Sequence, residues 1–351
     1  MSKPYRVAII GTGAIAHKHA QAYKNIGYPV TVCYNQTRAK GEAFAEQYGA
    51  RYVATMEAAC TAPDVDFIDL CTFPDVRLEP LRLAADAGKH IQVQKPIAVN
   101  LADAAEMIAY ARAKKVHLAV VTQHRFDVSV IFLRRAIADG RLGKILQADA
   151  YVKWWRNDEY YSRPIKGSWA VEGGGALINQ AIHQVDILLH LIGPVQELFG
   201  MWQLAARHKI ASEDVVTAML RYANGAQGVV QASTAMWPGY SERVEIHGTK
   251  GTAVITGDKL TTWDVMPGDE GEPAPLASTV ASGASDPMAI SLAPFERMFA
   301  DLGRAIETGT PPLIPGEEGY NALEVVLATY ESCRSGQVVP LHGADLTPVK
   351  A

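Results

Sequence analysis

Over the first 122 residues, short apolar runs alternate with stretches in which apolar positions recur every three or four residues. That alternation predicts parallel strands joined by crossover helices. Strands are expected over 6–10, 30–34, 67–71, 91–94 and 117–121. Between the last two, Asn100 sits where an N-cap belongs, and Leu101, Ala104, Ala105, Ile108 and Ala111 form one helical stripe. After Phe126 the texture changes. A helix over 128–138, stopped near Gly140, precedes strands at 145–155, 215–222, 228–233, 243–247, 252–255 and 260–265, with Asn224-Gly225 as a hairpin turn in which both positions want positive φ. The stretch 267–286 is rich in Gly, Pro, Ser and Ala and reads as a surface loop or lid. Helices follow over 294–307 and 317–335, separated by Thr310-Pro311-Pro312. The expected fold class is α/β plus α+β, with a boundary after residue 122 and a second, mainly antiparallel domain over 123–351.

Composition narrows the function. The 351 residues suffice for two domains, and 48% hydrophobic with 20% charged residues is ordinary for a folded globular chain. A net charge of -4 gives no broad basic surface, so neither nucleic acid nor an anionic membrane is an expected partner, and a small molecule is. Cys33, Cys60, Cys71 and Cys333 are scattered and read as reduced thiols, and no metal site is expected. Met1-Ser2-Lys3-Pro4 runs straight into an apolar strand with no leader pattern, and no apolar run is long enough for a membrane helix, so the expected location is cytoplasmic.

Three motifs carry chemistry. Directly after the first strand, Gly11-Thr12-Gly13-Ala14-Ile15-Ala16 is a G-x-G-x-x-A turn opening a helix, where small residues let backbone N–H groups approach a pyrophosphate. At the end of the second strand, Tyr34-Asn35-Gln36-Thr37-Arg38 has no carboxylate for a ribose 2′-hydroxyl. Asn35 can still bond a hydroxyl and Arg38 could pair with a 2′-phosphate or simply face water, so NAD and NADP both stay open. Gln92-Val93-Gln94-Lys95-Pro96 then places a lysine at the end of the fourth strand, the side on which open sheets bind ligands. Finally, Gly173-Gly174-Gly175 opens an apolar helical run to Asp186, with glycines suited to close approach of a ligand and with Asn179 and His183 one turn apart on one face.

These motifs, in this order, resemble the Gfo/Idh/MocA oxidoreductase family over nearly the whole chain. The resemblance implies an N-terminal Rossmann domain that binds NAD or NADP through Gly11, Gly13, Ala14, Ile15, Asn35, Arg38, Thr72, Gln94 and Lys95. It also implies a C-terminal open, mainly antiparallel sheet domain that serves the substrate and a homodimer or homotetramer interface. The family's E-K-P maps onto Gln94-Lys95-Pro96 and its G-G-G...D-x-x-x-H onto Gly173 to His183, which makes Lys95 and His183 catalytic, with Asn179 beside them. Three departures stand out: Gln94 for Glu, Asn179 for Asp, which removes a possible base, and Thr72-Phe73-Pro74 for T-P-N, with Arg77 where His is common. The Asn-Gln-x-x-His version, with Trp154-Trp155-Arg156, Tyr160-Tyr161 and Gly167-Ser168-Trp169, is similar to the branch containing UDP-N-acetylglucosaminuronate 3-dehydrogenases, which implies a pyranose-type substrate with C3 as a candidate carbon. Trp155, Tyr160 and Tyr161 then stack on a sugar or pack the sheet. Arg125, Lys153, Arg156 and Arg163 meet an anionic substrate group or face water.

The expected reaction is hydride transfer between a nicotinamide and a secondary hydroxyl or ketone of a sugar, sugar acid, glycoside or nucleotide sugar, with Lys95 and His183 handling the proton. Alternatives are a transient-redox glycosidase that retains NAD, a cyclitol (inositol) dehydrogenase, and a non-catalytic cofactor-sensing regulator. Retention of both Lys95 and His183 favours an enzyme.

Overall fold

The computed structural model describes residues 4–204, 209–277 and 291–344. In chain order it begins β1 (Val7–Ile10), α1 (Ala14–Asn25), β2 (Val30–Tyr34), α2 (Arg38–Tyr48), β3 (Arg51–Tyr52), α3 (Met56–Cys60), β4 (Phe67–Leu70), α4 (Leu78–Asp86), β5 (His90–Gln94), α5 (Leu101–Ala113) and β6 (Leu118–Val121). It continues α6 (Val128–Ala138), β7 (Ile145–Lys153), α7 (Asp158–Tyr161), a π-helical turn (Leu177–Ala181), α8 (Ile182–Ile192), β8 (Val195–Gln203), β9 (Val215–Tyr222) and β10 (Gln227–Ser233). After β11 (Arg243–Gly248), β12 (Gly251–Thr256) and β13 (Lys259–Val265) it closes with α9 (Ala293–Thr308), α10 (Gly316–Ser335) and β14 (Val339–Pro340). Of the expected loop over 267–286, residues 278–286 lie outside the described residues.

Packing divides the chain into two compact units. The first runs to Gln123 and also takes Ser291–Tyr320, and the second begins at His124 and resumes at Asn321. In the first, six parallel strands lie in the order β3-β2-β1-β4-β5-β6. β1, β4 and β6 are buried along their whole length, which is why β1 and β6 read as unbroken apolar runs and β4 as one interrupted only by Asp69. The strand order reverses between β1 and β4, the topological switch point of a Rossmann sheet. α5 starts where Asn100 Oδ1 accepts the Asp103 N–H at 2.8 Å, as its N-cap position predicts.

The placement of α9 departs from the expected second domain over 123–351. Phe299 stacks on Tyr23 with ring centroids 4.0 Å apart, and Asn25 Nδ2 donates to Glu296 Oε1 at 2.6 Å, so α9 lies against α1. A Cβ on Gly303 would sit 2.0 Å from the Tyr28 hydroxyl, so only glycine allows this approach. The apolar stripe of α9 was legible, but which distant helix it would cover was not.

In the second unit, eight strands follow the order β13-β12-β11-β7-β10-β9-β8-β14, parallel only between β7 and β10 and antiparallel elsewhere. The β9–β10 turn differs from the expected geometry: Gly225 alone takes positive φ, 86°, while Asn224 Oδ1 accepts the Ala226 N–H at 3.0 Å. α8 packs on β7 and α6 on α8, covering one face of the sheet. All four cysteines are free thiols. No helix among the described residues is long and apolar enough to cross a membrane.

Candidate active site

The first unit presents a dinucleotide cradle. Gly11 has φ 90°, and a Cβ there would lie 3.1 Å from the Cys71 carbonyl and the Thr72 nitrogen, so the turn tolerates no side chain. Gly13 is the N-cap of α1, makes no side-chain cap and is followed by no acidic residue in the first turn. A Cβ on Gly13 would meet nothing within 4 Å. The helix N-terminus thus opens on unfilled space with Ala14 exposed and Ile15 half-buried, which fits an anionic pyrophosphate. Thr72 Oγ1, beyond the end of β4, is buried without a hydrogen-bond partner among the described residues, a polar atom that suits a bound ligand.

At the end of β2 the adenosine-side candidates are already engaged. Asn35 Nδ2 donates to Thr12 Oγ1 at 2.8 Å, and its Oδ1 accepts the Thr37 N–H at 2.8 Å. Arg38 is exposed and pairs with Glu42 at 2.7 Å, one turn along α2.

Lys95 is half-buried at the end of β5 and is joined to Pro96 by a cis peptide bond. The buried Arg77 guanidinium donates to the carbonyls of Gln94 and Pro96, and to that of Thr72 at 2.6 and 3.1 Å. One side chain therefore ties the carbonyls of the residues on either side of Lys95 to the end of β4. Burial lowers the Arg77 pKa, with Cys71, Asp75 and Asp69 opposing, and the group keeps its charge at neutral pH. Gln94 Oε1 accepts the Lys95 N–H at 3.0 Å, and its Nε2 meets His19 Nε2 at 2.9 Å.

In the second unit, Gly174 and Gly175, ahead of α8, face protein and not a ligand. A Cβ on Gly174 would lie 2.4 Å from the Tyr330 hydroxyl, and one on Gly175 1.8 Å from the Glu213 carbonyl. Glu213 accepts the N–H groups of Gly175 at 2.8 Å and Leu177 at 2.9 Å, and the Tyr330 hydroxyl donates to it at 3.0 Å. Burial pushes Glu213 up to about 7 despite those bonds. Asn179, within the π-helical turn, donates to Glu172 Oε2 and to the Gly174 carbonyl, both at 3.3 Å. Glu172 also receives Lys166 Nζ and, at 2.9 Å, the Gly167 N–H.

His183 is half-buried on α8, its ring edge-on to His124 at 5.2 Å and 85°. His124 Nδ1 bonds Asp127 Oδ2 at 2.7 Å. Burial disfavours charge on His124, but Asp127, with Glu242 and Asp258 behind it, more than reverses this and raises its pKa. Arg125, expected to meet substrate, is instead 2% exposed and bidentate to Asp186 at 2.7 and 2.8 Å. Arg156 is likewise buried, its guanidinium over the rings of Trp154 at 4.8 Å and Tyr160 at 5.6 Å. Tyr160 accepts from Gln180 Nε2 at 2.9 Å, and Tyr161 bonds Thr234 Oγ1 at 2.7 Å. Trp155 is half-buried and edge-on to Trp237, which is 74% exposed, while Lys153 and Arg163 face solvent.

Sequence reasoning missed His19, Asp69, His124, Asp127, Glu172 and Glu213. For His124 and Asp127 a signal was present, since Gln123-His124-Arg125-Phe126-Asp127 follows the last strand of the parallel sheet; Glu172 and Glu213 belong to no motif and are found only by what they bond.

Comparison with known proteins adds three results. A model of the oxidoreductase family's NAD-binding Rossmann fold matches residues 5–122, and a model of the GFO/IDH/MocA C-terminal domain matches residues 130–254. The chain is 27% identical to a D-apiose dehydrogenase of Paraburkholderia graminis over 98% of this chain and 91% of that protein, and 28% identical to a D-glucoside 3-dehydrogenase of Escherichia coli over 97% and 98%. The crystal structure of the WlbA dehydrogenase from Bordetella pertussis, in complex with NADH and UDP-GlcNAcA, is 26% identical with a TM-score of 0.85, covering 97% of this chain and 99% of that one.

Proposed function

This chain belongs to the Gfo/Idh/MocA family of NAD-binding oxidoreductases, and we propose that it oxidises a secondary hydroxyl of a pyranose-type sugar or glycoside, or reduces the matching ketone, at C3. The observation that carries the reading is the setting of Lys95, a half-buried amine at the end of a Rossmann strand whose flanking carbonyls are fixed by Arg77. Such a group is suited to take up and return a hydroxyl proton. The nicotinamide, when bound, supplies the hydride acceptor or donor.

Lys95 removes the proton from the reacting hydroxyl during oxidation and returns it during reduction. His183 hydrogen-bonds the substrate, and Asn179, an amide that carries no proton, orients it. Trp155 and Tyr160 offer aromatic surface to the sugar. The similarity to a D-glucoside 3-dehydrogenase supports C3. NAD is the working cofactor in this reading, since Arg38, the cation considered for a 2′-phosphate, is paired with Glu42. The free thiols suit a reducing compartment, the cytoplasm, and the assembly is a homodimer or homotetramer.

The test is turnover by purified protein on glycosides, free sugars, uronates, cyclitols and nucleotide sugars, with NAD and NADP separately. We expect steady NADH production with a pyranoside and a kcat/KM for NAD at least about tenfold above that for NADP, with Lys95→Ala lowering kcat by about 100-fold or more. Full turnover by Lys95→Ala would overturn the assignment of the base. Retained cofactor without net redox would replace the dehydrogenase with a transient-redox hydrolase, and binding without turnover on any substrate would make the protein a sensor.

A further inference from the structure

Beneath Lys95 lies a buried hydrogen-bond chain that the proposed reaction does not use. It runs from the Lys95 N–H to Gln94 Oε1 at 3.0 Å, from Gln94 Nε2 to His19 Nε2 at 2.9 Å, and from His19 Nδ1 to Asp69 Oδ2 at 2.7 Å. The Tyr23 hydroxyl donates to the same Asp69 oxygen at 2.9 Å, and Cys71 Sγ points at the other at 3.6 Å. His19 and Asp69 have no exposure, and the rings of Phe295 and Phe299 on α9 flank His19 at 5.4 and 5.0 Å. His19, Asp69 and Cys71 bring three ligand-type atoms within 4.8 Å of one another, but these atoms already bond each other, Tyr23 and Gln94, so the cluster is a network and not a metal site.

Every direction in the chain is determined. The Lys95 N–H only donates, so the atom facing it is the Gln94 carbonyl oxygen. The Gln94 amide nitrogen then faces His19 Nε2, and two donors cannot share that contact, so His19 Nε2 is unprotonated. The single proton of the neutral ring sits on Nδ1 and is given to Asp69. A second proton on the ring would set N–H against N–H, turn the Gln94 amide over and strip the Lys95 N–H of its acceptor. A carboxylate at position 94 would demand that second proton, whereas glutamine lets one carboxylate and one neutral ring satisfy the whole chain.

We propose that His19, locked as its neutral Nδ1–H tautomer between Asp69 and Gln94, is a positioning residue for Lys95, fixing the lysine's main chain from below while Arg77 fixes it from the side. The proposal rests on the reading of Lys95 as the reacting base. It involves no contact between His19 and substrate.

Nitrogen-15 NMR of the histidine side chains, in the protein with and without NAD, reads the tautomer directly. We expect His19 Nε2 at the position of an unprotonated ring nitrogen and Nδ1 protonated; a protonated Nε2 overturns the proposal whatever the kinetics. Three variants then separate positioning from packing. His19→Gln can keep an acceptor toward Gln94, His19→Asn keeps only a donor toward Asp69, and Gln94→Met removes both bonds at similar volume. We expect Asn and Met to lower kcat by about 10- to 100-fold, with KM and the NAD dissociation constant within about threefold of wild type, and Gln to recover most of the loss. Equal kcat for Gln and Asn, or an unchanged kcat in Gln94→Met, overturns it. Lys95→Ala, measured alongside, separates the two readings: if it keeps full turnover the base assignment fails, and the NMR spectrum still decides the tautomer on its own.

Discussion

Arg77 supplies the donors for three carbonyl groups at once, and nothing else among the described contacts would replace them. Replacing it by methionine keeps an apolar stem but leaves the carbonyls of Thr72, Gln94 and Pro96 without that partner. Each buried acceptor so stranded costs about 1–3 kcal/mol, so Arg77→Met should lower stability by about 3 kcal/mol or more, read as a fall in the denaturation midpoint. Turnover should fall as well, because the Lys95 segment loses its lateral tie. Asn179 makes a subtler case. Introducing an acid there would set a carboxylate where the amide now meets Glu172 at 3.3 Å. Asn179→Asp should therefore destabilise by about 1–3 kcal/mol at pH 8 and by less at pH 5, where the pair can hold a proton, as thermal unfolding at the two pH values would show. Positions set by local pattern were legible: Gly11 and Gly13 follow β1 and Lys95 follows β5, as their motifs predict. Arg125 was misread because its partner, Asp186, lies 61 positions away and no local pattern announces it.

At the scale of elements, the helix that carries His183 is held at its start by Glu213, a buried carboxyl some forty residues downstream. Its folded-state pKa of about 7 lies above the ordinary 4.5, so the folded protein holds this proton more tightly than the unfolded chain does. The resulting stabilisation is fully present below about 4.5 and is lost as pH rises through about 7, roughly 3 kcal/mol in all. Glu213→Gln should flatten stability across that window, measured by urea unfolding between pH 4.5 and 8, while weakening the helix start, because a glutamine nitrogen cannot accept an N–H. Most strands and both late helices followed from periodicity to within a residue or two. β8 did not, since Gly200 and the flanking glutamate and glutamines break its alternation, and the two-residue edges β3 and β14 are too short to carry any period. The π-helical turn at Leu177–Ala181 was also invisible, because an apolar run fits α and π spacing alike.

At the scale of the whole molecule, the mainly antiparallel sheet has one face under helices and one outward. On the outward face Met201 and Met219 are 64% and 57% exposed, and Met219 pairs across the strands with the half-buried Phe199 and Val229. Such a surface suits a second copy of the chain, so for the proposed homo-oligomer Met219→Asp should shift the assembly toward monomer in analytical ultracentrifugation while leaving the far-ultraviolet circular dichroism unchanged. Fold class was readable without a structure because each unit repeats one local pattern; the pairing of distant pieces was not.

The clearest such pairing is α9 on α1, where Phe295 and Phe299 close over His19 and Tyr23. During synthesis the nucleotide unit therefore stays unfinished until the ribosome has also made the second unit's sheet, and its buried histidine and aromatic rings wait uncovered through that interval. A gene fragment ending at residue 123 encodes a Rossmann unit whose α1 lacks its α9 cover. Anyone recombining this cofactor unit with a foreign second unit has to carry residues 291–320 across as well, because by packing the unit is written in two separate stretches of the gene.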